Sequence, residues 1–480
     1  MRRRDLLQAI GANPSAPADV LLRLLADEAS EPWDRAAWVM WRGEFPEEVV
    51  DAIVAHPERR IRMALAENGL VSGETRARLI DDPGKGVRLC LAMGPNLFRI
   101  QSPSLPEWAQ RRLIDDPDEM IRSEALGSYY TSRELLAGLA EHEDAHKRSA
   151  ACQAWDLLGA AARARLLADE NDDVRGRAAR YASRDDPDAT DIYIDYIARS
   201  DSPSYSYEDV LKQALIHRST AERLAREGTS TERAAMAGNP HVPKEIAQSL
   251  ATDDEHRVRL MVASRPDLSE DERATIDYHV RVEDRLDPLF WACELVNPVE
   301  IRRFARSANI LIRRSLAYNK DLPQDVIDLL GADDDFPVRI LLCENQPTVD
   351  GEVVLDVFLN WKSVVSAALQ GHPNFPRGQL AARFADDPDE HKRWLIYNDP
   401  TAAADVVLKL SHDPNVNVRR SIAGHPNLSP ERLAELLRDP DDGIAERAAR
   451  NSSLPPEAMR RLLDELDVSD LQGRPSTDAA

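Results

Sequence analysis

A unit of 26 or 27 residues recurs along this chain and constrains its fold more than any other feature. It is plainest near the C-terminal end, in IAGHPNLSPERLAELLRDPDDGI (422–444) and RAARNSSLPPEAMRRLLDE (447–465). Upstream, the same pattern reads SLAYNKDLPQDVIDLLGADDDFPVRI (315–340) and AALQGHPNFPRGQLAARFADDPDEHKR (367–393). The residue that opens the Leu-rich run recurs at Pro17, Pro46, Ser72, Pro106 and Ser132. After a degenerate middle it resumes at Pro243, Ser269, Pro323, Val349, Pro376, Ala402, Ser429 and Pro455, the last five steps being 26, 27, 26, 27 and 26 residues. A second ladder runs through Arg62, Arg88, Arg122, Arg148, Arg175, Arg259, Arg313, Arg339, Arg393 and Arg419. Two unrelated markers in one register mean that a single supersecondary unit is repeated.

Each part of the unit has a physical reading. Ser or Pro before PERLAELLRD suits a helix start, where a side-chain acceptor or a missing N–H is welcome. Leu433, Leu436 and Leu437 then form one apolar stripe at helical spacing. Asp-Pro pairs such as Asp439–Pro440, Asp387–Pro388 and Asp116–Pro117 stop that helix, because the residue before Pro is pushed out of α space. A second short helix follows, as in VNVRRSIAGH (416–425). No segment alternates with period 2, so no sheet is expected. A helix of about ten residues is marginal alone and gains its stability by stacking on its neighbours. The expected fold is therefore an all-α solenoid of about sixteen short two-helix repeats without β-sheet. A hydrophobic fraction of 43% supplies its core, carried by Leu, Ala, Val and Ile because aromatics are only 5%.

The unit resembles the leucine-rich repeat variant family, whose repeats read roughly N-P-x-x-P-x-x-L-x-x-L-A-x-D-P-x-x-x-V-R. The residues that carry the resemblance are GNPHVPKEIAQSLATDDEHRVR (238–259), GHPNLSPERLAELLRDP (424–440) and ANPSAPADVLLRLLAD (12–27). It covers most of 1–465, with 133–235 the least regular part. The resemblance implies alternating α and 3₁₀ helices in a right-handed superhelix, and it overlaps with HEAT-like repeats. One branch of the family holds an iron–sulfur centre in an N-terminal cysteine cluster. No cysteine precedes Cys90 here, so that cofactor is not carried over and no cofactor is expected. Four segments are expected: repeat arrays at 1–184 and 236–466, an irregular stretch at 185–235, and a disordered polar tail at 467–480.

The net charge of −23 repels phosphate backbones on average and weighs against nucleic acid as the partner. Cys90, Cys152, Cys293 and Cys343 lie dozens of residues apart without a CxxC or Cys/His cluster, which weighs against a zinc site and suits a reducing cytoplasm. Cys152 and Cys343 stand where small apolar residues occur in other units, so packing explains them. MRRRDLLQAI lacks the apolar core of an export signal, and no apolar run is long enough to span a bilayer. No hydrolase, zincin, P-loop or dinucleotide motif is present. The expectation is a soluble, cytoplasmic, non-catalytic scaffold that binds a protein or peptide. The alternative is a HEAT-like solenoid that grips nucleic acid with concave arginines.

Two sets of residues are candidates for partner contact. The first is Tyr193, Tyr196, Tyr205 and Tyr207, inside the stretch that breaks the period, because insertions in repeat arrays tend to share a binding face. The second is the ladder members Arg259, Arg313, Arg339, Arg393 and Arg419. The competing reading of that ladder is structural, with each Arg paired to aspartates of its own or an adjacent repeat. Trp33, Trp38, Trp41 and Phe45 form an aromatic cluster that reads as closure of the first repeat. His372 and His425 occupy the slot assigned to Asn319, Asn345 and Asn398, where a side chain hydrogen-bonds a turn.

Overall fold

Ser429 shows how a repeat begins. Its hydroxyl accepts from the Arg432 amide at 3.3 Å, Pro430 takes the first helical position, and Leu433 and Leu436 of helix Pro430–Leu436 are buried. The helix tightens to i→i+3 bonding at its end, where the Arg438 and Asp439 amides donate to the Glu435 and Leu436 carbonyls. Asp441 then accepts from the Ile444 amide at 3.0 Å and starts the second helix, Asp442–Arg450. This computed structural model describes residues 2–27, 30–95, 102–199, 207–361 and 363–473. Among them every regular element is helical and none is a strand. No helix among them is long and apolar enough to cross a membrane. The chain is an all-α solenoid of helical repeats. Most second helices are α-helical, and 3₁₀ stretches are confined to places such as Cys152–Leu157, Val364–Gly371 and Trp394–Asn398.

The chain forms two compact units, Met1–Leu136 with Arg377–Ala480, and Ala137–Pro376. The boundaries expected after 184 and 235 both fall inside the second unit. The last helix, Pro456–Gly473, runs into the stretch expected as a tail, and residues 474–480 lie outside the described residues.

In many units a buried side chain four residues before the N-cap of the first helix ties one repeat to the last. Asn451 donates from Nδ2 to the Ala423 and His425 carbonyls, both at 2.9 Å, while its Oδ1 accepts from the Ser453 amide. Asn68 does the same to Val39 and Arg42, Asn239 to Leu211 and Ala214, and Asn319 to Ala292 and Leu295. His425 substitutes its ring, Nε2 meeting the Asp399 carbonyl at 2.9 Å and Nδ1 accepting from the Asn427 amide. Arg42 and Arg265 fill the slot with guanidinium groups that reach several carbonyls at once. The backbone groups left over at helix C-termini are thus satisfied by the next unit. Two units depart by one residue from the sequence-based register. The slot there holds Gln346 and Asp399 rather than Asn345 and Asn398, and the following helices are capped by Asp350 and Ala403 rather than Val349 and Ala402. Asn345 is still the last residue of helix Phe336–Asn345, so its side chain bonds back to the Leu341 carbonyl.

Within the first unit this framework joins the two ends of the chain. Helix Arg2–Ala12 packs on helix Asp442–Arg450, and Asn13 Nδ2 donates to the Ala449 and Asn451 carbonyls, both at 2.8 Å. Ser15 reaches the Ser452 carbonyl at 2.7 Å, as Ser453 reaches that of Pro426 at 2.7 Å. Leu6, Ala9 and Ile10 are buried, and Arg460 pairs with Asp19 at 2.8 Å. The first repeat therefore sits on the last as its next unit would. Gly11 permits the close approach of the neighbouring helix, since a Cβ there would lie 2.3 Å from the Trp38 ring.

Candidate functional site

The arginine ladder is committed inside the fold. Arg313 makes a two-pronged pair with Asp333 of the next repeat, at 2.7 and 3.1 Å, and also donates to the Ser307 carbonyl six residues before it. Arg393 repeats this with Asp413 and the Asp387 carbonyl. Arg259 meets the Asp277 carbonyl at 2.7 Å and those of Asp253 and Asp254. Arg339 pairs with Asp356 at 2.9 Å and lies over the Phe336 ring, and Arg419 donates to the Asp413 and Pro414 carbonyls. The acceptor aspartates turn the chain as well, each taking an amide two residues on, as Asp333 does from Asp335 and Asp413 from Asn415. The Asp333 hydrogen bond raises the Arg313 pKa and the Arg148 hydrogen bond lowers that of Asp169. Arg313 and Arg393 thus each lock their own loop to the following unit, a two-ended clamp that Lys lacks the geometry to make, whereas the Arg419 bonds run to its own loop.

The tyrosines form a different structure from the one expected of a contact surface. Tyr193 is 2% exposed, and its ring lies 6.5 Å from that of Tyr196 and 6.2 Å from that of Tyr207. Tyr196 donates to Asp173 at 3.0 Å and Tyr207 to Glu232 at 2.9 Å. Burial pushes both phenol pKa values up, with the neighbouring carboxylate adding to it. Tyr205 lies outside the described residues. Trp38 is buried against Phe45, whereas Trp33 is 63% exposed with Arg60 4.4 Å over its ring, and Trp41 is also exposed. The four cysteines are free thiols. Burial pushes Cys90, Cys152 and Cys343 to about 12 and Cys293 to about 11, so none is a ready nucleophile.

A second irregular segment went unremarked in the sequence. Between helices Glu270–Ala274 and Phe290–Cys293 the link runs through 275–289, far longer than the Asp-Asp-Pro links elsewhere. Within the second unit it meets the first irregular stretch. Arg184 pairs with Glu294 at 3.1 Å and also binds Gln213. Lys212 faces Glu208, Asp209 and, at 3.7 Å, Asp287, while Arg257 pairs with Glu208. The His256 and His279 rings lie 4.0 Å apart, with the His279 amide donating to His256 Nε2. Arg314, buried against Asp335, donates to the Arg281 and Asp284 carbonyls and so fixes the link from its other side. The result is a polar surface of exchangeable ion pairs, with Val282 standing 63% exposed in the link. The available signal was the 54-residue step from Ser269 to Pro323, which leaves one unit without its opening Pro or Ser.

Asp389, Glu390 and His391 bring ligand atoms within 4.8 Å of one another, yet Asp389 is occupied in capping its own helix and accepts from the His391 amide and ring.

These repeats, with one hydrogen-bond framework carried from unit to unit, define a helical repeat protein. The leucine rich repeat variant family model matches residues 416–441, the unit whose slot is His425 and whose ladder residue is Arg419, and the resemblance read from the sequence is to that family. No curated protein matches the chain. Among solved structures it is similar to the crystal structure of an engineered protein at 14% identity, covering 92% of this chain and 98% of that one with a TM-score of 0.14.

Proposed function

We propose that this chain is a non-catalytic scaffold that binds a protein or peptide where its two irregular segments meet. The observation that carries this reading is their convergence. Lys212 of the stretch at 185–235 faces Asp287 of the link at 275–289, the Arg184–Glu294 and Arg257–Glu208 pairs flank that contact, and departures from a repeat are kept where a partner is recognised. Thiols held protonated and a site without a nucleophile–base pair support a binding role over catalysis. Unpaired cysteines fit a reducing cytoplasm. The nucleic-acid alternative has less support, because the ladder guanidiniums that would grip phosphate are spent on carboxylates and carbonyls.

A photo-crosslinking residue at Val282 tests the reading, with the same residue at the exposed Leu408 of the first unit as control. The expected result is an adduct of defined mass from position 282, diminished by Arg184→Glu. Equal labelling from both positions, or none from 282, refutes it.

A further inference from the structure

His256 stands at the first position of helix His256–Ala263, partly buried where that helix meets the link at 275–289. The repeats hold this link by its backbone. Arg259 donates to the Asp277 carbonyl at 2.7 Å, Arg314 donates to the carbonyls of Arg281 and Asp284, and the Ser315 hydroxyl accepts from the Leu289 amide. Between the first two anchors, the His279 amide donates to His256 Nε2 at 3.1 Å. A backbone N–H only donates, so Nε2 carries no proton while this bond exists. Guanidiniums and hydroxyls keep their protonation across neutral and mildly acidic pH, whereas an imidazole does not. Of these four tethers, His256 is the one that titrates in that range.

Three features set a proton on His256 against the docked link. It would turn an N–H toward the His279 N–H. It would place a cation beside the His279 ring, whose centroid is 4.0 Å away, and close to the charge of Arg259. It would also add positive charge at a helix N-terminus, the end that favours anions. Two acids in the link pull the other way but are engaged: Asp277 lies 3.4 Å from Arg259, and Asp284 accepts from the Arg281 amide. On the opposite side, helix Ser230–Gly238 packs against the His256 helix. Its Arg233 is paired with Asp253, and its Glu232 accepts from the Thr229 amide and the Tyr207 hydroxyl. Arg257, the next residue, pairs with Glu208. The balance falls against charge: burial first, then His279 and Arg259, hold the His256 pKa below the usual imidazole value.

We propose that His256 is a pH-sensitive latch, whose protonation releases the centre of the link around His279 while Arg259 and Arg314 keep their own hold on it. The tether is whole above about pH 6.5 and is lost progressively as pH falls below it, because the released imidazole takes up a proton more readily than the docked one. Val282 lies three residues beyond His279, so the latch regulates the contact surface proposed above. That consequence rests on the binding reading, whereas the latch itself does not.

Hydrogen exchange in peptides covering 275–289, corrected for the intrinsic effect of pH, tests the latch on the full chain without a partner. Between about pH 7.5 and about pH 5.5, one unit below the free imidazole value, the opening constant of the link should rise by up to about tenfold. His256→Gln offers the same amide an oxygen that does not titrate, so its link should stay protected at both pH values. In His256→Ala the link should be open at both. Unchanged protection in the wild type, the same pH dependence in His256→Gln, or an equal loss of protection in helix Ile310–Leu316 overturns the proposal. Should the variants fail to fold, the wild-type comparison of link and helix decides. A failed latch leaves the crosslinking test at Val282 standing, and a failed crosslink leaves the latch.

Discussion

Asn13→Ala removes two buried hydrogen bonds from the seam between the first and last repeats, and its cost can be worked from the geometry. Asn13 is fully buried and donates to the Ala449 and Asn451 carbonyls at 2.8 Å each. A made hydrogen bond contributes about 1 kcal/mol net, and a carbonyl left bare in the interior costs about 1–3 kcal/mol, so the change should cost about 2–4 kcal/mol locally. That corresponds to a rise of roughly thirty-fold to a thousand-fold in the opening constant of the seam. Hydrogen exchange read by mass spectrometry measures it directly, in peptides covering 2–12 and 442–450. Asn451→Ala is the internal standard, because it deletes the same pair of bonds to Ala423 and His425 between two consecutive repeats. Asn13→Asp should be worse than Asn13→Ala, since it turns a carboxylate on two carbonyl oxygens. If Asn13→Ala leaves 2–12 as protected as wild type while Asn451→Ala deprotects 442–450, the two ends do not stack and the closure is refuted.

Other expectations follow from the same framework. Asp169, Asp253 and Asp441 are held below the usual carboxylate range by Arg148, Arg233 and Arg420, so their stabilisation is complete above about pH 4 and lost as pH falls through their lower folded values. Urea midpoints measured between pH 5 and pH 2.5 should drop, and less steeply in Asp169→Asn. His425 has its pKa lowered, chiefly by burial, and its Nδ1 already accepts from the Asn427 amide, so protonation opposes the fold. Its contribution should be whole above about pH 6.5 and fade below it, and His425→Asn should remove that pH dependence because Asn fills the same slot in other units. Gly11→Ala should destabilise the first unit by about 1–3 kcal/mol through overpacking on Trp38, read as a lowered urea midpoint; a neutral result would mean the helices are farther apart. Cys90, Cys152 and Cys343 should react with a thiol reagent only after unfolding, since they are buried and kept protonated, leaving part-exposed Cys293 as the one of the four open to reaction in the native protein.

Local signals made the repeat legible. A Pro or Ser cap, a Leu stripe and an Asp-Pro stop each act within one helix, so their spacing declares the unit. The ladder of Arg is visible as a period, and aspartates of its own or an adjacent repeat are legible as partners, but which of the two is not. The structure places the acceptor Asp about 20 residues downstream in the next unit for Arg62, Arg313 and Arg393, and about 28 for Arg88. Pairing across units depends on stacking, which no local pattern encodes. The same limit explains the slot. Asn, His, Gln and Arg look unlike one another in sequence, yet each presents an N–H donor to the same carbonyls, and Gln346 and Asp399 were displaced by one residue because a neighbouring Asn offered a better match to the motif. The broken period marks Tyr193 and Tyr207 as candidates for contact, whereas three-dimensional packing sets their rings against each other, with Tyr193 buried.

Saturation of the regular repeat also argues about where recognition can occur. In units such as those of Arg62, Arg88, Arg148, Arg313 and Arg393 the Arg is clamped and its Asp partner turns the chain, and slot side chains such as Asn68 and Asn319 cover the carbonyls beneath them. A partner meeting that surface would have to displace bonds already made in good geometry, gaining little over what it breaks. At the seam helix Arg2–Ala12 packs on helix Asp442–Arg450, and Leu6 and Ile10 are buried. What remains are places where the framework is interrupted. The surface beside the link at 275–289 carries exposed pairs such as Arg184–Glu294 at 3.1 Å, and exposed pairs contribute about 0–1 kcal/mol each. Exchanging them for a partner's groups costs almost nothing, whereas exchanging Arg313–Asp333 would unlock a repeat. On that physical ground, the proposed recognition would fall at the interruptions, while rigidity lies in the repeats.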